Sequence, residues 1–166
     1  MKFIAAAALL AAQNPGPPVE CVPQQEVADL TIVLLPAFID AAAAHCASHL
    51  GTGSFLGSGG GRAMAERLRA EAGPRRESAA RGIRRMVGDE VPRGLSGTTM
   101  LNVLSEGMIG QAVTGLDAVK CRHVDKILRA AAPLPPANIG DLIAAIGGLA
   151  FLDRRDSGRA PPVCPA

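Results

Sequence analysis

Four cysteines, Cys21, Cys46, Cys121 and Cys164, reach across almost the whole chain of 166 residues, and they fall into two matched kinds of surroundings. Cys21 and Cys164 sit in proline-rich terminal segments, "GPPVECVP" and "APPVCPA", whereas Cys46 and Cys121 sit inside patterns of helical spacing. An even number of cysteines in an oxidising compartment forms a disulfide framework, and four allow three pairings. Like surroundings favour Cys46 with Cys121 and Cys21 with Cys164. Such a pattern draws the two ends of the chain together and ties the first third of the fold to the last.

The oxidising compartment is itself an expectation. "MKFIAAAALLAAQNPGPP" carries Lys2, an apolar run from Phe3 to Ala12 and a polar, proline-rich exit, which is the order of an export signal. The alternative is an N-terminal core helix. Taking residues 1–12 as a signal peptide, 13–25 form an extended proline-rich segment, 26–153 a helical domain, and 154–166 a tail tied down through Cys164. The expected location is periplasmic or secreted. A lipoprotein anchor is excluded at Cys21, because "PVE" precedes it in place of small apolar residues. The run from Leu30 to Ala47 holds Pro36 and Asp40 and reads as a buried helix without an integral membrane span, since a mid-membrane carboxylate costs about 2.5–3.5 kcal/mol.

The class is all-α. Aromatics make up only 2% of the chain, with no Trp or Tyr, while alanine dominates the apolar 48%, so strand-forming residues are scarce and helix formers abundant. One compact bundle of five or six helices with glycine- and proline-rich connections follows. Val27, Leu30, Leu34, Phe38, Ala41 and Ala44 mark the first helix, with a strand over "LTIVLL" as its rival and Pro36 as a kink or restart. "LGTGSFLGSGGGR" reads as a flexible loop or hinge. Two helices then meet near Gly73-Pro74, burying Met64, Leu68 and Ala72, then Ala79, Ile83, Met86 and Val87. Ser96 caps a fourth helix whose stripe is Met100, Val103, Leu104 and Met108; Gly107, Gly110 and Gly115 weaken it by about 1 kcal/mol each relative to alanine, with close packing as the alternative reading. A fifth runs from Leu116 or Asp117 to about Ala131 and is stopped by "PLPP". In the last helix Ile139, Leu142, Ile143, Ile146, Leu149 and Phe151 predict a central position.

"AHCASHL" (44–50) and "KCRHVDK" (120–126) hold all three histidines. His45 and His49 are four apart, so one helix face could offer both imidazoles to a metal ion. A Cys46 to Cys121 bridge removes the thiolates from the donor set but would bring His123 near as a third ligand. His45, His49 and His123 are therefore the candidate metal ligands, and a metal-binding protein is the alternative function.

"GTGSFLGSGGG" lacks the spacing of a dinucleotide fingerprint and the lysine of a P-loop. No GxSxG elbow, H-E-x-x-H helix or CxxC pair is present, so the expectation is a protein without catalysis and without a cofactor. An enzyme would have to assemble Asp40, His45, Asp117, His123 or Asp125. Arg62, Arg67, Arg69, Arg75, Arg76, Arg81, Arg84, Arg85 and Arg93 crowd one third of the chain. Glu66, Glu71, Glu77, Asp89 and Glu90 interleave them, and stacking aromatics are missing, which argues against nucleic acid. The block reads as a solvated face with intrahelical ion pairs, the alternative being contact with an anionic surface. The functional expectation is an exported binding or interaction protein whose partner is another protein or an envelope component.

Overall fold

The computed structural model describes residues 21–87, 96–152 and 163–164, so residues 1–20, which include the expected signal peptide, the 88–95 connection and most of the tail lie outside the described residues. Six α-helices stand among them: α1 (Gln24–Cys46), α2 (Gly60–Ala72), α3 (Arg76–Val87), α4 (Gly97–Thr114), α5 (Ala118–Ala131) and α6 (Pro136–Leu152). A 3-10 turn (Gly73–Arg75) joins α2 to α3, at the predicted Gly73-Pro74 break. No strand occurs among the described residues; their only β-type pairing is a single parallel bridge between Val22 and Val163.

α1 is the axis of the bundle, packed against α2, α3, α4 and α6. It starts two residues earlier than expected, on the carbonyl of Pro23, which accepts from the Glu26 and Val27 amides. The helix runs through Pro36 without interruption; that proline has no amide to give the Ile32 carbonyl one turn back. Because neighbours surround α1, its buried residues form no single stripe. Ala28, Ile32, Ile39, Ala42 and Cys46 are the best covered, while Ala44, one of the predicted stripe positions, is exposed.

Two apolar clusters flank this axis. One joins Ile32, Ile39 and Ala42 to Leu56, Met64, Leu68, Leu128 and Ile139; the other joins Leu30 to Ala79, Ala80, Ile83, Met100 and Leu101. Met64, Leu68, Ala72, Ala79 and Ile83 are therefore buried as expected and Met86 is partly covered, while the Val87 side chain lies outside the described residues.

Both disulfides have the expected pairing, Cys46–Cys121 and Cys21–Cys164. Ser96 accepts from the Thr99 amide at the start of α4, and Asp117 accepts from the Lys120 amide at the start of α5, so two helix starts lie where short polar side chains predict them.

Three expectations are corrected. The 47–59 connection is not a free hinge: Leu56 is buried, its amide donates to Asp125 Oδ1 at 2.8 Å, and Phe55 and Leu50 pack on the core. Gly59, at φ 88°, takes the left-handed conformation that lets this loop turn into α2. In α4 the stripe is misplaced: Met100 and Leu101 are buried, but Val103 and Met108 are more than half exposed, and an added Cβ at Gly107 or Gly110 would meet nothing within 4 Å. Those two glycines weaken the helix without close packing, the first of the two expected readings. Gly115 is the C-cap of α4, near only the carbonyls of its own helix.

The third correction concerns α6. Ile139 is buried, but Leu142, Ile143, Ile146 and Leu149 are 38–66% exposed. α6 instead lays a face of small residues on α1. A Cβ on Gly140 would stand 2.8 Å from the Ala28 carbonyl oxygen and 3.1 Å from Ile32 Cδ1, and Ala144 on the same face is fully covered. Backbones that approach this closely leave room for hydrogen and methyl, not for isobutyl groups. The bulky residues are turned to the outer side by the same rotation that brings the small ones in.

Candidate functional site

The histidine corner is built by the core disulfide. Cys46 ends α1 and Cys121 lies one turn into α5, both fully buried. His45 Nε2 lies 2.9 Å from the Leu116 carbonyl oxygen, so that ring nitrogen donates and its lone pair is not directed at a metal. His49 falls in the turn after α1, exposed, its ring centroid 6.4 Å from that of His45 and tilted by 58°. His123 is exposed on α5 two residues past the buried Cys121, about 200° around the helix from it. Among the described residues no three histidine, cysteine, aspartate or glutamate side chains form a group that could hold a metal ion. The bridge thus joins the two segments as expected, but it does not gather His45, His49 and His123 around one point.

The acids considered for catalysis have architectural partners. Asp40 pairs with Arg69. Asp117 caps α5, and its carboxyl is held below its ordinary value chiefly by the hydrogen bond from the Lys120 amide. Asp125 is buried, accepts from Leu56 and lies 3.4 Å from Arg129.

The arginine block faces inward more than its spacing suggests. Arg75 meets Asp29 at 2.8 Å, and Arg81 and Arg85 meet Glu26 at 3.4 and 3.1 Å. Glu26 and Asp29 are buried near the start of α1, where acids also favour the positive end of the helix dipole. Intrahelical pairs are present too, Arg81 with Glu77 and Arg75 with Glu71. The cross-helix partners were missed by sequence reasoning. The available signal was two acids, Glu26 and Asp29, three apart just ahead of the apolar run from Leu30.

Burial works to raise the Asp29 carboxyl, but hydrogen bonds from Ser78, Arg75 and Gln25, together with the Arg75 charge, hold it below the usual value. The acids of α1 neutralise part of the basic block, which leaves less positive surface than nine arginines imply.

Two shallow grooves open beside Asp40. One, of about 340 Å³, runs over Val33, Pro36, Ala37 and Leu101 with Arg69, Arg76 and Asn102 at its edge. The other, of about 350 Å³, lies over Ile39 and Ala43 beside Gly57, Gly59 and Arg62. Neither contains a histidine.

The outer face of α6 has a different character. At 100° per residue, Leu142, Ile146 and Leu149 fall within about 60° of one another, with Ile143 on one flank, opposite the Gly140 and Ala144 side. Leu142 is 49%, Ile146 56% and Leu149 66% exposed, a contiguous apolar line with no basic residue anywhere on the helix. No family model, curated protein or solved structure matches the chain.

Proposed function

We propose that this chain is an exported, disulfide-stabilised helical protein that acts by binding, and that the outer face of α6 is its binding surface. The observation that carries the reading is the orientation of α6. Its small face is seated on α1, while Leu142, Ile146 and Leu149 stand in solvent. Contiguous apolar patches of a few hundred Å² are often functional. The two disulfides and the apolar run of residues 3–12 support export, because both fit an oxidising compartment.

A photo-reactive amino acid placed at Ile146, with Gln111 on the exposed side of α4 as the control position, tests the binding surface in cells that make the protein. The expected result is a discrete crosslinked adduct from position 146 and none from 111. Equal labelling, or no adduct from either, removes α6 as the contact surface. Export is tested separately by the N-terminal sequence of the mature protein. A chain that still begins at Met1 removes that part of the reading.

A further inference from the structure

We infer that the partner of the α6 face is a second copy of this chain, joined antiparallel about a two-fold axis near Ile146. This rests on the reading of α6 as the binding surface and names what covers it.

Charge selects among occupants. Helices that lie on lipid carry Lys or Arg along their polar side, whereas α6 has neither, and its opposite side is occupied by α1. On α6 itself Asp141 is the one charged residue, so the helix offers a charged protein partner little to pair with. An apolar line with one acid at its beginning matches another such line best when the two run in opposite directions. The two Asp141 side chains then lie at opposite ends of the contact, whereas a parallel pair would bring them together.

Area sets the strength. Leu142, Ile143, Ile146 and Leu149 together expose on the order of 400 Å² per copy, so a pair hides roughly 800 Å² before the bordering Ala145 and neighbouring backbone are counted. Stable interfaces bury about 1,200–2,000 Å² in total, so this pair falls below that range, among weak and transient contacts.

Sedimentation velocity on the oxidised full chain, over roughly 1 to 300 µM, reads the prediction directly. The wild type is expected to pass from monomer to dimer across that range. Ile146→Asp places two like charges opposite each other at the axis and is expected to weaken the dimer at least tenfold. Val103→Asp, on exposed α4, is expected to leave it unchanged. Far-UV circular dichroism confirms that each variant is folded, and Leu149→Asp repeats the test if Ile146→Asp does not fold.

A wild type that is monomeric at the highest concentration overturns the inference, as does a dimer indifferent to both α6 variants. Flotation with neutral phosphatidylcholine vesicles separates the two levels of failure. A monomer that floats in an Ile146-dependent way refutes the second copy but keeps α6 as a contact surface. A monomer that neither floats nor crosslinks from position 146 refutes both.

Discussion

Removing the two disulfides one at a time should have unequal effects, and the order of those effects tests how each end of the chain is held. The Cys46–Cys121 loop, 75 residues in separation, nests inside the 143-residue Cys21–Cys164 loop. With the inner bridge kept, the outer one closes an effective ring of about 68 residues, so loop-closure entropy alone assigns it about 4.4 kcal/mol, and assigns the inner bridge, with the 143-residue ring kept, about 3.8 kcal/mol. Those values assume that the folded state is unchanged when a bond is lost, which holds for only one of the bridges.

Cys46 and Cys121 are fully buried between α1 and α5, which remain fixed by their own packing and by the Asp125, Arg129 and His45 contacts. Their ends cannot regain freedom in the folded state. The full loop-entropy loss of about 3.8 kcal/mol is therefore expected for Cys46→Ala with Cys121→Ala.

Cys164 is held differently. Besides the bond, its segment is retained by burial of Val163 and by the Cys164 amide donating to the Val22 carbonyl at 2.9 Å. These contacts are worth about 2–3 kcal/mol together, less than the entropy a detached tail recovers. Cys21→Ala with Cys164→Ala should therefore release the tail and destabilise the fold by only about 2–3 kcal/mol. Urea denaturation followed by circular dichroism at the helix band is the suitable assay, since the chain has no Trp or Tyr to report by fluorescence. If the outer bridge proves as costly to remove as the inner one, the tail is an integral part of the fold and this reasoning fails.

Three further perturbations separate other contributions. Gly107→Ala and Gly110→Ala, whose new methyl groups meet nothing within 4 Å, should each add about 0.5–1 kcal/mol of stability through helix propensity and raise the melting temperature by about 2–4 °C per kcal/mol; a loss would mean that α4 is packed where it is open. Gly140→Ala should do the reverse, losing about 1–3 kcal/mol because its methyl group would press on the Ala28 carbonyl, and a neutral result would show that α6 can slide away from α1. Asp29 has a folded-state value held below the ordinary 3.8, so its contribution is complete above about pH 3.8 and is lost as pH falls through the lower folded value. Asp29→Asn should accordingly be less stable at neutral pH, with a shallower fall in urea midpoint under acid; equal slopes for the two proteins would remove Asp29 from the acid response.

What could be read in the sequence was whatever depends on local chemistry. Ser96 and Asp117 are short acceptors placed at helix starts, the Gly73-Pro74 pair breaks a helix wherever it falls, and the cysteine pairing followed from surroundings that resemble each other. What could not be read depends on which neighbour a face meets. α1 has no clear stripe because it is covered on several sides, so its periodicity understated Ala28 and Ile39. Arg81 and Arg85 look like surface cations until α1 supplies Glu26 across the helix boundary. His45 and His49 have ligand spacing, but the Leu116 carbonyl that engages His45 comes from 71 residues away.

The misreading of α6 has the most general cause. Periodicity treats bulk and burial as the same property, and in a chain with four phenylalanines as its only aromatics they come apart. The core does bury Ile32, Ile39, Met64 and Leu68, but Ala28, Ala42, Ala65, Ala79, Ala80 and Ala144 fill much of the rest, and at the α1–α6 seam stability comes from bringing backbones close and not from burying large side chains. Such a core removes less apolar area from water per residue than one filled with Leu and Phe, so less remains to offset the entropy of folding. The disulfides meet part of that deficit by restricting the unfolded chain. The residues bulky enough to meet the rest, Leu142, Ile146 and Leu149, are held outside by the close packing they cannot enter. Covering them with a second α6 would recover apolar burial that the single chain cannot reach, so the same small-residue packing that makes the bridges necessary also creates the surface on which two copies can meet.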